Sequence, residues 1–209
     1  MQINVFSYIV FGLKISNYKL EVDQLYFHHR RKNTIMKYIA LLLCITVGYI
    51  HSWTIDYLPA KQVSSPHFNR GRSGQAITCL TLHGTAGGGT VSWFQNPSSK
   101  VSAHYVVEQD GTVVQMVSED DTAWHNGVVT TNSVFYGRPN PNLWCIGIEF
   151  VRNTQNNNIM PEAQIASGVR LVADIKRRYR GINIYTHDQF NVGRTCPGPN
   201  FPLSRFKNA

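Results

Sequence analysis

The sequence predicts a single α/β domain over residues 77–209, a β-sheet flanked by helices. Three observations predict it. Short apolar, β-branched runs at 77–82, 143–150 and 182–185 read as buried strands. Two further runs, 103–108 and 112–117, flank the turn Gln109-Asp110-Gly111 and read as a hairpin. One long amphipathic stretch, Pro161 to Arg180, reads as a helix with Ile165, Val169, Val172, Ile175 and Tyr179 on its apolar stripe. The composition, 43% apolar and 15% charged, is that of a soluble globular protein, and a domain of this size can bury a core without disulfides.

In chain order, residues 36–52 come first as a recognisable unit. Lys37 precedes the apolar run Tyr38 to Ile50, too short to span a bilayer comfortably, and Ser52 suits a cleavage site. This reads as a secretory signal peptide, with a buried N-terminal helix or a membrane anchor as the other readings. Residues 1–35 are then an upstream extension or an alternative start, with Met36 a candidate initiator. The expected product is extracellular, begins near Trp53 and has no stable membrane association. Residues 53–76, with Pro59, Ser64-Ser65-Pro66 and Asn69-Arg70-Gly71, form a lead-in expected to lie irregularly on the surface.

Within the domain, the first strand ends in His83-Gly84-Thr85-Ala86-Gly87-Gly88-Gly89. That Gly run lacks the spacing of a dinucleotide or phosphate loop. Thr90 to Asn96 is expected as a short helix bringing Trp93 and Phe94 to the core, stopped by Pro97. Residues 120–127 form a polar loop carrying Trp124 and His125, and 132–142 form another loop. In the run 143–150 Glu149 interrupts the apolar pattern, which is costly unless the carboxylate is paired or placed at a site. Gly181 stops the long helix, and 182–185 is a short strand delivering His187.

Charge limits the partners. The formal net charge is +8, from 20 Lys/Arg and 12 Asp/Glu; six of those bases and two of those acids fall in residues 1–52, leaving 14 and 10, or +4, beyond. A mildly basic domain suits an anionic surface such as a wall polymer. No long basic run interleaved with aromatics calls for nucleic acid. Lys176, Arg177, Arg178 and Arg180 read as the solvated face of a helix.

The chemistry concentrates in 186–199, where His187, Arg194 and Cys196 stand among Gly and Pro. Imidazole and thiolate suit Zn²⁺, and a catalytic zinc site usually takes three protein ligands. His83 is the candidate for the third. Scattered core or surface residues are the competing reading for His187 and Cys196 taken alone.

Six stretches carry a resemblance: His83-Gly84-Thr85-Ala86-Gly87, Ser102-Ala103-His104-Tyr105, Asp110-Gly111-Thr112-Val113, Ala123-Trp124-His125-Asn126-Gly127, Ile146-Gly147-Ile148-Glu149 and Arg194-Thr195-Cys196-Pro197-Gly198-Pro199. In this order they resemble the zinc-dependent N-acetylmuramoyl-L-alanine amidases, which share their fold with peptidoglycan recognition proteins. The resemblance implies a central mixed β-sheet flanked by helices, with the zinc site at one end of the sheet. It implies one Zn²⁺ on His83, His187 and Cys196, which would supply Lewis acidity to a water and to the scissile carbonyl. It further implies that Glu149 shuttles the proton from water to the leaving amine and that Arg194 stabilises the oxyanion. Many relatives have Lys at the position of Arg194 and Asp at that of Cys196, and some have Tyr at that of Ala103, whose absence here puts more weight on Glu149.

Thr85, His104, Trp124, His125 and Asn126 are the implied substrate contacts. For His104 a hydrogen-bonded core imidazole, and for Trp124 plain core, are the alternatives; for Glu149 it is a satisfied buried carboxylate. The implied substrate is peptidoglycan or a muropeptide, cut at the amide between N-acetylmuramic acid and L-alanine, by a protein expected to be a monomer. A recognition protein of the same fold without turnover is the alternative, and the intact ligand set favours the enzyme. Cys79 and Cys145 stand four residues before His83 and Glu149; if their strands are parallel neighbours, the sulfurs lie at matching depth. Two packed thiols are favoured over a disulfide, because bridging adjacent strands is geometrically demanding.

Overall fold

The computed structural model describes residues 53–152 and 159–209, together with the backbone pairing of β1 (Ile9–Val10) with β2 (Leu13–Lys14). The chain divides into two units, Met1–Ser52 and Trp53–Ala209. The expected signal at 36–52 lies outside the described residues, as does the extension 1–35 apart from that small ribbon. Among the described residues no helix is long and apolar enough to cross a membrane.

The second unit is built on a six-stranded mixed sheet. Its strands are β3 (Lys61–Gln62), β5 (Cys79–Gly84), β6 (Tyr105–Val107), β7 (Val113–Gln115), β9 (Cys145–Phe150) and β10 (Asn183–Thr186), ordered β10-β5-β9-β6-β7-β3. β10, β5, β9 and β6 run parallel, β6 and β7 form the antiparallel hairpin, and β3 joins the edge parallel to β7. A separate ribbon pairs β4 (Phe68–Asn69) with β8 (Thr122–Ala123). The lead-in is therefore less irregular than expected: it supplies two short strands and buries Ser65, His67 and Arg72.

Period-two alternation assigns the two faces of the central strands. Leu80, Leu82, Ile146, Ile148 and Phe150 join a core under the long helix α2 (Glu162–Arg178), with Ile165, Leu171, Val172 and Ile175, and under α4 (Leu203–Lys207), with Phe206. Leu171, absent from the expected stripe, is fully buried, whereas Val169 and Tyr179 are only partly so. Gly168 lets the helix approach: a Cβ there would lie 2.5 Å from the Phe150 ring. Gln164 donates to the carbonyls of Val107 and Val151, at 2.8 and 2.9 Å, tying α2 to the strand ends.

The opposite face of β5 and β9 presents Cys79, Thr81 and His83 beside Cys145, Gly147 and Glu149, pair by pair in register. Cys79 and Cys145 form a disulfide, with Cα atoms 4.5 Å apart, which corrects the expectation of two thiols. The parallel in-register pairing supplies the short Cα spacing a bridge needs. The disulfide lies against Phe135, Trp144 and Phe190, so the loop at 132–142 and the short helix α3 (His187–Phe190) close over it.

Two further expectations are corrected. The helix after the Gly run, α1 (Thr90–Gln95), buries Phe94 but leaves Trp93 50% exposed. Arg178 is not part of a solvated face. It pairs with Glu119, whose side chain is 1% exposed and also accepts from the hydroxyls of Tyr105 and Tyr179.

Candidate active site

The site gathers where β5, β9 and β10 end. β5 delivers His83, and β9 delivers Glu149 opposite it. β10 runs into α3, whose first residue is His187; the Thr186 N–H donates to Gln189 Oε1 at 2.9 Å, fixing that turn. The loop after α3 returns Cys196, and the Asp188 N–H donates to the Cys196 carbonyl at 3.0 Å.

These segments bring three donors together. One ligand atom each from His83, His187 and Cys196 falls within 4.8 Å of the others. Cys196 Sγ lies 3.8 Å from His83 Nδ1, and Glu149 Oε1 lies 3.8 Å from the same nitrogen. The far nitrogens are occupied: His83 Nε2 meets His125 Nδ1 at 3.1 Å, and His187 Nε2 donates to the Asn126 carbonyl at 3.0 Å. His83 therefore turns Nδ1 to the sulfur, and His187 has Nδ1 as the ring nitrogen left by its bond to the Asn126 carbonyl, the arrangement in which outer hydrogen bonds set the tautomer of a ligating histidine.

The electrostatics follow from burial. Burial, then neighbouring imidazoles, holds His83 well below its ordinary value; burial also lowers His187, against the Asn126 carbonyl. Both are neutral and able to ligate. Burial pushes the Cys196 thiol up to about 12, with Glu149 acting the same way and the Gly84 N–H, 3.4 Å from Sγ, acting against it. A thiol so placed is no free nucleophile, since nucleophilic cysteines need a lowered value. Burial raises the Glu149 carboxyl to about 8.

A cavity of about 480 Å³ opens over this cluster, lined by Glu149, His187, Arg194 and Cys196 with Thr85, Trp93, Trp124 and His125. Thr85 turns its hydroxyl to the Gly87 carbonyl at 2.9 Å, and Trp124 Nε1 donates to Asn69 Oδ1 at 2.7 Å. Arg194 is exposed at the rim. Two residues expected at the substrate lie elsewhere. His104 is fully buried outside the lining; its Nδ1 accepts from the Gly147 N–H at 2.9 Å, and its Nε2 lies 3.1 Å from the Asp121 carbonyl. Asn126 is also fully buried, and its reach to the site is through its backbone carbonyl. Gly147 explains how His125 fits, because a Cβ there would collide with the imidazole ring.

Two residues escaped the sequence reading, and a third, Trp93, was read as core. Arg152, 2% exposed, donates to the carbonyls of Pro197 and Pro199 at 3.1 and 2.7 Å and so anchors the loop carrying Cys196. Arg72 is buried with its guanidinium 2.7 Å from His104 Nε2 and donates to the Glu119, Leu143 and Cys145 carbonyls. Trp93 lines the cavity. For Arg152 the available signal was a charged residue two positions after a buried strand.

The mixed sheet ends in a His/His/Cys cluster that could hold a metal ion, with a carboxylate beside it, and comparison makes the class definite. Residues 73–199 match the family described as N-acetylmuramoyl-L-alanine amidase. The chain is 30% identical over 169 residues to N-acetylmuramoyl-L-alanine amidase A of Achromobacter lyticus, covering 69% of this chain and 88% of that one. It is 31% identical over 170 residues to the 1,6-anhydro-N-acetylmuramyl-L-alanine amidase AmpD of Haemophilus influenzae, covering 70% and 89%. A crystal structure of an AmpD derivative superposes with TM-score 0.63 at 26% identity over 75% of this chain and 98% of that one. The amidase LysC of Clostridium intestinale shares the fold, with TM-score 0.55 at 18% identity over 71% and 95%. The chain belongs to the N-acetylmuramoyl-L-alanine amidase family of enzymes.

Proposed function

We propose that this protein is a secreted, zinc-dependent amidase that hydrolyses the amide between the lactyl group of N-acetylmuramic acid and L-alanine in peptidoglycan or its fragments. The observation that carries the reading is that one ligand atom each from His83, His187 and Cys196 falls within 4.8 Å of the others beside a cavity that His187, Cys196 and Glu149 line. The donor set fits the metal: two neutral imidazoles whose Nε2 atoms are already engaged, one sulfur, and no fourth protein ligand among the described residues of the cluster. A zinc ion there would supply Lewis acidity.

The chain's own groups supply the rest. Glu149, which burial alone holds protonated and a cation at the His83 cluster would ionise, would take the proton of the attacking water and return it to the leaving amine. Arg194, at the rim, offers fixed positive charge to the oxyanion. Trp93, Trp124 and Thr85 shape the space that holds the substrate. His125 and the Asn126 carbonyl keep the two ligand imidazoles in their tautomers.

Secretion rests on the sequence at 36–52, the mildly basic charge of the domain and a bridged cysteine pair suited to an oxidising compartment. The working form is a monomer starting near Trp53, with 53–76 as lead-in and 77–209 as catalytic domain. The test is incubation of the purified protein with peptidoglycan, scored by newly freed L-alanine amino groups, with and without chelator and after zinc is restored. Binding without release of amine, with zinc present, would reject the enzyme in favour of a recognition protein.

A further inference from the structure

The cavity has two chemically different flanks. β10 lies on one side of the His83 strand, and the segment it leads into brings His187, Cys196 and the exposed Arg194 to that flank. β9, with Glu149, lies on the other side, and β6 beyond it. The segments leading to β6 bring Trp93 and Phe94 from α1, then Val101 and Ser102, and none of these side chains is charged. Phe94 is held in a buried cluster with Val106 and Met116, which fixes α1 over β6 and β7. Trp93, its neighbour, turns outward and leaves half its surface open on the cavity, although burying an indole is among the larger apolar gains a core can make. Trp124 stands at this same flank, its backbone N–H donating to Ser102 Oγ at 2.9 Å.

From this asymmetry we propose that Trp93 is a substrate-binding residue that stacks on the muramyl sugar ring, so that the sugar lies over the α1–β6 flank and the peptide runs toward Arg194. The assignment rests on the amidase reading and adds a direction to it. An uncharged pyranose presents a C–H face that suits the electron-rich face of an indole. A peptide carries at least its C-terminal carboxylate and suits the cationic flank. The scissile amide joins the two halves and so falls between them, over Glu149 and the His83 cluster.

The test compares an N-acetylmuramoyl-L-alanyl peptide with the same peptide acylated by D-lactate, which keeps the amide and drops the ring. Wild type, Trp93→Ala and Trp93→Phe are assayed on both, alongside calorimetric binding of free N-acetylmuramic acid. Trp93→Ala is expected to lower the kcat/KM ratio of the sugar substrate over the lactoyl one by about tenfold, through KM, with Phe restoring most of it. An unchanged ratio, or an equal loss on both substrates, overturns the assignment. Should wild type cleave neither substrate, the amidase reading fails and binding decides: weaker N-acetylmuramic acid binding by Trp93→Ala sustains the sugar site, and equal binding overturns it.

Discussion

His83 and Glu149 are register partners on adjacent parallel strands, and Cys79 and Cys145, four residues earlier on the same strands, are bridged by a disulfide. The ladder thus sets the distance between a metal-ligand candidate and its neighbouring acid, and the bridge clamps the ladder from below. The span of 66 residues between the cysteines makes the clamp consequential for the unfolded chain, because cross-linking a loop of that length removes about 4 kcal/mol of closure entropy. The Cys79→Ala/Cys145→Ala variant should lose about 2–4 kcal/mol in urea unfolding. Thiol titration of the unfolded, unreduced protein starting near Trp53 should count Cys196 alone; three thiols would deny the bridge.

What the sequence made legible was what local pattern determines. Apolar, β-branched runs placed β5 and β9, and with them His83 at the end of one strand and Glu149 within the other. The hairpin turn at Gly111 needs its positive φ of 86° and was readable for that reason. Long-range contacts were not readable. Whether two thiols bridge depends on the Cα spacing that strand pairing sets, and Arg152 matters only because the Pro197 loop folds back under Gly84, where a Cβ would meet the Pro197 carbonyl. Trp93 was misplaced because a helix six residues long has too few positions for periodicity to tell its faces apart.

Cys196 and Glu149 should separate cleanly when changed. Cys196→Ala removes one of three donors and leaves a partly buried position that alanine fills without a new polar group. It should retain the fold by circular dichroism, bind zinc below stoichiometry and lose hydrolysis. Glu149→Gln keeps the donors and the shape but cannot accept a proton. It should keep its zinc and lose about 10²–10⁴-fold in kcat. Full activity in either variant would reject the role given to that side chain.

Arg152 should act on metal retention through the loop it holds. Its guanidinium spans two carbonyls, those of Pro197 and Pro199, on the segment just after Cys196. Arg152→Met removes both donations while preserving much of the buried volume. The expected result is zinc affinity lower by about 10–100-fold in chelator competition, with Arg152→Lys between, since an ammonium cannot reproduce the fork. Unaltered affinity in Arg152→Met would show that the loop holds its place by packing alone.

The Arg178–Glu119 pair should dominate the stability of the sheet edge away from the site. Glu119 is buried and receives Arg178 Nη2 at 2.8 Å, Tyr105 Oη at 2.6 Å and Tyr179 Oη at 3.0 Å. Arg178 also donates through Nε to Asp174 Oδ2 at 2.8 Å, which braces it along the helix. Removing the cation leaves a carboxylate that water cannot reach. Arg178→Met should therefore cost about 3–5 kcal/mol in urea unfolding, well above an exposed helix pair. Arg178→Met/Glu119→Met removes the stranded charge as well, and should recover part of that loss although two tyrosine hydroxyls lose their acceptor. If the single variant unfolds within about 1 kcal/mol of wild type, the range of an exposed pair, Glu119 is solvated in a way its burial denies.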